Sequence, residues 1–313
     1  MKSKIYNLIK LIISAGLLIL LFTLFDFRES WNALRGMDYR YFVLAFILFQ
    51  GSLVIRSFRW RFLLDAVQVP VPIHRLLYLY YVGTFFNTFL PSGFGGDAIK
   101  MYELARHSQR ASEAVGTVFV DRIAGLIVLC AMGLLALPLA QRSLPQQQVV
   151  ILVLASALGL VGPWLLLRRR LADSIIGIMP KLLRRKAQSL YDAVHTSGTQ
   201  ALGKALLVSV LFNLVLFALN FFIALGLGVR APFLYFVAFM PLLSLSMLIP
   251  SIGALGTRES AYVLLFGNAG IDEPVAIAMS LSFYFINVCT GLIGALLYGV
   301  DSVTGLRSSG NGA

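Results

Sequence analysis

Along this chain, long uncharged stretches alternate with short basic ones. Uncharged or nearly uncharged runs at 5–25, 41–61, 115–139, 149–167, 204–227 and 275–299 are each long enough to cross a bilayer as a helix, which takes roughly 20 apolar residues. Two more apolar regions, 76–96 and 231–257, do not read as plain spans. The first breaks and restarts as "LPSGFGGDAIKMYEL", the second as "IPSIGALGTRESAYVLLF". Each places Pro-Ser after an aliphatic residue, then glycines, then a charged helix. The helix breaks are Pro91 and Gly93 in one region and Pro250, Gly253 and Gly256 in the other. The pattern predicts an all-α polytopic membrane protein with six full spans and two broken re-entrant hairpins, up to eight hydrophobic segments in all.

The two breaks lie about 160 positions apart, and a second echo, "RIAGLIVL" (122–129) against "VCTGLIGAL" (288–296), has nearly the same separation. The chain therefore reads as one integral-membrane domain, 1–313, made of two halves at about 1–145 and 146–313. Three spans per half, an odd number, insert the second half upside down relative to the first. Matching interruptions in inverted halves are the best sequence pointer to a transporter's midplane site. The physical reason lies in the backbone. A helix that stops inside a bilayer leaves polar groups unpaired, at several kcal/mol each, unless protein or a water-filled cavity satisfies them.

Composition agrees with the membrane reading: 58% of residues are hydrophobic and 13% charged, against about a quarter charged in soluble domains. The net charge of +12 does not point to nucleic acid, because the basic residues gather in alternate loops. With the N-terminus inside, Lys2, Lys4, Lys10, Arg56, Arg59, Arg61, Arg75, Lys100, Arg106, Arg110, Arg307 and the cluster from Arg168 to Lys204 fall on one side. This positive-inside skew predicts a plasma (inner) membrane protein with both termini cytoplasmic. The loop 168–203 reads as a basic amphipathic segment lying on the anionic inner leaflet. The run at 5–25 follows a basic start, but no small-x-small cleavage pattern follows it, so it reads as an uncleaved span. Residues 305–313 read as a disordered tail.

Charges inside apolar runs cost roughly 2.5–3.5 kcal/mol each on insertion scales, so they are expected to face the protein interior and pair. Asp97 begins the helix after the first break, where it either caps free N–H groups or shapes a seat for an anion at the helix N-terminus. Asp121 and Arg122 lie within "EAVGTVFVDRIAGLIVL". Arg122 either snorkels with Asp121 as its neutralising neighbour, or forks onto a lipid phosphate, Asp97 or Glu103. Arg258 and Glu259 stand equivalently behind the second break, as an outward-side counterpart. The candidate headgroup-binding set is therefore Asn87, Gly95, Gly96, Asp97, Lys100, Glu103, Asp121, Arg122, Arg258 and Glu259. Asn87, Asn213, Asn220 and Asn287 also suit interhelical hydrogen bonds.

Catalytic chemistry of the soluble kind is missing from the sequence. It contains no P-loop, H-E-x-x-H or G-x-S-x-G. His74, His107 and His195 lack metal-ligand spacing, and Cys130 and Cys289 sit in apolar segments as packing residues, so neither a metal nor a cofactor is expected.

The blocks "NTFLPSGFGGDAIKMYELARHSQRASEAVGTVFVDRIAGLIVL" and "PSIGALGTRESAYVLLF" resemble the transmembrane region of the lysylphosphatidylglycerol synthase family, over nearly the whole chain. Asn87, Pro91, Gly95, Gly96 and Asp97 match its first block, Asp121 and Arg122 its acidic-Arg pair, and Pro250, Gly253, Gly256 and Glu259 its last. The resemblance implies a lipid-translocating domain. The chain ends at Ala313 without the soluble aminoacyl transferase domain of bifunctional members, so lysyl-lipid synthesis is not expected. Many relatives carry an arginine in the last span where this chain has "SFYFINVCTG", which weakens a symmetric two-arginine site. The leading expectation is a non-enzymatic flippase or transporter for an anionic phospholipid or a polyprenyl-phosphate-linked lipid. A membrane-embedded lipid-phosphate transferase, using Asp97 or Glu103 as base or metal ligand, is the alternative from another class. An accessory subunit of a lipid- or glycan-modifying enzyme is the third. Expected partners are membrane lipids, a second copy of the chain or such an enzyme, and no nucleic acid.

Overall fold

The computed structural model describes residues 27–89, 95–107, 111–140, 146–167, 177, 198–246 and 256–304. Among them are ten α-helices and no strand: α1 (Phe27–Arg35), α2 (Tyr39–Ala66), α3 (Ile73–Phe89), α4 (Gly95–His107), α5 (Ala111–Ala140), α6 (Gln146–Leu167), α7 (Gly198–Gly226), α8 (Phe233–Ser246), α9 (Thr257–Gly267) and α10 (Glu273–Thr304). Among the described residues, four stretches are long and apolar enough to cross a membrane: Tyr39–Ala66, Ala114–Pro138, Gly198–Gly226 and Glu273–Asp301. These cover the runs expected at 41–61, 115–139, 204–227 and 275–299. Gln146–Gly162 and Phe233–Ser246 are shorter apolar helices. The expected span at 5–25, the bulk of the 168–203 loop and the 305–313 tail lie outside the described residues. So do the break residues Pro91, Gly93, Pro250 and Gly253, although the helices on both sides of each break are present.

The same local turn is built twice. At the end of α2, Val69 N donates to Leu64 O at 3.0 Å and Gln68 N to Asp65 O at 3.1 Å; at the end of α7, Val229 N donates to Ala224 O at 2.9 Å and Gly228 N to Leu225 O at 3.0 Å. Both are helix stops in which one residue turns left-handed. That residue is Gln68 at φ 59° in the first case and Gly228 at φ 80° in the second. Pro72 and Pro232 then open the next helices in the same manner, accepting from Arg75 N and Tyr235 N, each at 3.0 Å. Proline suits this place because its missing N–H would have had no helical partner there.

Packing follows the same reciprocity. α2 lies along α7, α3 packs on α10, and α8 packs on α5. Small residues set how closely these pairs approach. A Cβ on Gly294 of α10 would run into the Tyr81 backbone carbonyl of α3. One on Gly133 of α5 would lie 2.6 Å from the Pro241 ring of α8. The large buried side chains, among them Trp60, Tyr80, Phe217, Phe236, Phe239, Tyr262 and Phe266, fill the space between these helices. α1, not anticipated from the sequence, packs beside α10.

Candidate functional site

The first hairpin closes on a glycine pair. A Cβ on Gly96 would overlap the backbone carbonyl of Gly83, so the start of α4 lies directly against α3. Asn87 Oδ1 accepts from Gly96 N at 2.8 Å. That bond satisfies one of the N–H groups a helix start leaves unpaired. The candidate Asn87 is thus the polar staple of the hairpin, and buried Gly95 and Gly96 let the staple form. Asp97, in the first turn of α4, reaches across to α5 and forms a close ion pair with Arg122. The Asp97 contact is among those the position of Arg122 allowed, and Asp121 turns elsewhere.

Asp121 is held by a residue the sequence reading placed in a cytoplasmic basic cluster. Arg59 of α2 grips it with both prongs, Nε at 2.6 Å from Oδ1 and one terminal nitrogen at 3.0 Å from Oδ2. The other terminal nitrogen of Arg59 donates to Ser209 Oγ of α7 at 3.0 Å. Tyr80 of α3 donates its hydroxyl to Asp121 Oδ2 at 2.8 Å. Four helices meet at this ion pair, and both partners are buried. A forked, hydrogen-bonded pair of this kind is the arrangement that makes a buried carboxylate tolerable.

Lys100, 4% exposed, sits one turn beyond Asp97 and 3.8 Å from it. Its ammonium lies 3.5 Å from the centre of the Tyr80 ring and 5.4 Å from that of Trp60, a cation–π seat in a dry place. Half-buried Arg56 stacks on the same Tyr80 ring at 4.5 Å and on Phe212 at 5.5 Å. Trp60 is itself fixed by a 3.0 Å bond from Nε1 to Thr117 Oγ1. Glu103, further along α4, turns the other way. Arg75 of α3 donates to it at 3.1 Å and lies 3.6 Å from Asp301 of α10, whose carboxylate also accepts from Tyr78 at 2.9 Å. Asp97, Lys100, Asp121 and Arg122 therefore share one cluster, while Glu103 belongs to a separate one.

The second hairpin is chemically different. Gly256, at φ 85°, adopts a backbone conformation that favours glycine, and its N–H donates to Glu259 Oε2 at 2.7 Å. Arg258 donates to Glu259 Oε1 at 2.6 Å, and Ser280 of α10 bonds both, at 2.7 Å and 2.8 Å. These two charges are 2% and 1% exposed and neutralise one another. Arg258 also lies over Tyr284 at 5.0 Å. The pair closes on itself instead of presenting a free charge. Of the remaining asparagines, Asn213 and Asn220 also bond across helices, to Gly125 O at 3.4 Å and to Tyr262, while Asn287 bonds within its own helix. Asn213 donates to Ser209 O at 2.9 Å, Asn220 accepts from Tyr262 at 2.6 Å, and Asn287 donates to Phe283 O at 2.9 Å.

Arg56, Arg59, Trp60, Tyr80 and Ser209 join the cluster without having been singled out from sequence. The available signal was the spacing of Arg56 and Arg59, three apart near the end of an apolar run, which puts both on one helix face. Among the described residues no three His, Cys, Asp or Glu side chains gather as a metal site.

A family model described as the lysylphosphatidylglycerol synthase TM region matches residues 7–294. A UPF0104 membrane protein of Methanothermobacter thermautotrophicus is 25% identical over 312 residues, covering 87% of this chain and 88% of its own length. A second protein of that name and organism is 25% identical over 290 residues, with 83% and 86% covered. A UPF0104 membrane protein of Pyrococcus horikoshii is 21% identical over 319 residues, with 90% and 95% covered.

Proposed function

Because this chain belongs to the lysylphosphatidylglycerol synthase TM-region family, we propose that it is a multi-pass membrane protein that moves an anionic lipid between leaflets. The lipid is a phospholipid or a polyprenyl-phosphate-linked one. The observation that carries the reading is the cluster of Asp97 and buried Lys100 on α4 with Arg122 on α5, packed beside the buried Arg59–Asp121 pair inside an apolar bundle. Charge placed in hydrocarbon surroundings is costly and marks substrate paths by default. The headgroup enters beside the first hairpin while the acyl chains stay in the bilayer.

The transport reading carries with it two inverted halves, about 1–145 and 146–313, each with three spans and one re-entrant hairpin. The duplicated α2 and α7 turns support it, as does the exchange of partners whereby α3 meets α10 and α8 meets α5. The N- and C-termini face the cytoplasm across the plasma membrane, and the basic 168–203 segment rests on the inner leaflet. The protein works without catalysis of its own. Asp97 and Glu103, the carboxylates an embedded transferase would use, are engaged by Arg122 and Arg75. A second copy or a lipid-modifying enzyme is the expected protein partner.

The test is a leaflet-resolved assay in proteoliposomes with labelled anionic lipids, comparing wild type with Arg122→Ala. Transfer by wild type that collapses in the variant supports the reading. No transfer of any candidate anionic lipid overturns it.

A further inference from the structure

Cations and carboxylates do not balance in the first-half cluster. Arg56, Arg59, Lys100 and Arg122 are the cations, and Asp97 and Asp121 are the carboxylates they share. Among the described residues this leaves two cations in excess. Glu103 does not fill the gap, because it turns to Arg75 in the separate group with Asp301. The surplus is localised. Arg59 is spent on Asp121 and Arg122 on Asp97, whereas Arg56 stacks on the rings of Tyr80 and Phe212 and feels Asp121 only at longer range, with no direct ion pair among the described residues. Lys100 has Asp97 at 3.8 Å, beyond hydrogen-bond distance. Arg56 and Lys100 thus approach one aromatic ring, at 4.5 Å and 3.5 Å, as like charges in a desolvated place. At the second hairpin, by contrast, Arg258 and Glu259 cancel.

We propose that Arg56 and Lys100, converging on the Tyr80 ring, form the seat of a dianionic terminal phosphate, so that the lipid carried is a phosphomonoester or diphosphate and not a phosphodiester. The inference rests on the transport reading above and narrows its substrate class. A terminal phosphate brings close to two negative charges near neutral pH and three acceptor oxygens. It would neutralise the surplus and give both cations hydrogen bonds. A phosphodiester headgroup brings one charge and leaves the other cation unmatched in a low-dielectric site. Arg122, 37% exposed, stands at the rim of the same cluster beside Asp97.

The experiment compares phosphatidic acid with phosphatidylglycerol of identical acyl chains, binding to the purified full chain by native mass spectrometry and moving in proteoliposomes. Phosphatidic acid is expected to bind roughly tenfold or more tightly. Arg56→Gln and Lys100→Gln are expected to lower its affinity to that of phosphatidylglycerol, with phosphatidylglycerol itself little changed. Because Arg56 makes no direct ion pair among the described residues, Arg56→Gln is expected to keep or raise the melting temperature, and a large fall would make Arg56 a structural residue and overturn the assignment. Equal affinity for the two lipids, or variants that weaken both alike, overturns the proposal. Displacement of phosphatidic acid by millimolar glycerol 3-phosphate would make the ligand a soluble phosphomonoester and overturn the lipid assignment; absence of displacement supports it. Selective binding without transfer sinks the transport reading alone, and transfer of both lipids at equal rates sinks this inference alone.

Discussion

Arg59 and Asp121, 62 positions apart, lock α2 to α5 through a two-pronged contact of 2.6 Å and 3.0 Å deep in the bundle. Removing one partner strands the other charge without water, which costs about 3–5 kcal/mol for a buried pair. Arg59→Met and Asp121→Leu should each lower the melting temperature in detergent sharply. The double variant should recover much of the loss, because an apolar pair of similar volume leaves no lone charge. Single variants as stable as wild type would contradict the contact.

The glycine contact at the first hairpin makes a second prediction. Gly96→Ala forces α4 away from the Gly83 carbonyl and from Asn87, an overpacking change worth roughly 1–3 kcal/mol. Gly162→Ala meets nothing within 4 Å. It should stay within about 0.5 kcal/mol of wild type, as surface substitutions do. Parallel thermal denaturation of the two variants separates the outcomes.

The duplicated turn yields a third. Gln68 stands at φ 59° where its counterpart is Gly228 at φ 80°. Left-handed backbone costs a non-glycine residue roughly 1–2 kcal/mol. Gln68→Gly is therefore expected to stabilise the protein by about 0.5–1 kcal/mol, and Gly228→Ala to destabilise it by about as much. Opposite signs in one melting series confirm the turn geometry; equal signs contradict it.

The two hairpins should also respond differently to loss of charge. Arg122 is partly exposed, so Arg122→Gln is expected to cost no more than about 1 kcal/mol of stability while lipid transfer falls steeply. Glu259→Ala takes away the partner of Arg258 and the acceptor for Gly256 N. It should destabilise by about 3–5 kcal/mol. Transfer rates divided by the folded fraction from size-exclusion profiles measure both effects.

Much of the fold was legible in residue order. The runs around Tyr39–Ala66, Ala114–Pro138, Gly198–Gly226 and Glu273–Asp301 are long and apolar enough to announce themselves. The interruptions near Pro91 and Pro250 stood out because Pro and Gly followed by charge contradict a plain span. The pairing of Asp97 with Arg122 was one of the options their positions allowed. The role of Arg59 was not, since an arginine near the end of an apolar run reads equally as a snorkelling cation. Which state holds depends on Asp121, Tyr80 and Ser209, all far away in sequence.

The sequence by itself determined that this is a helical membrane protein, where its helices break, and that charge follows each break. Those features are local, set by hydrophobic length and by the backbone demands of Pro and Gly. Only the tertiary structure decided that the two breaks differ. Arg258 and Glu259 are neighbours in both sequence and space, and they cancel within one helix turn. Around Tyr80 the charges come from α2, α4 and α5, and their sum is a property of helix packing. Electrostatic interaction depends on distance and desolvation, and neither is written in the order of residues.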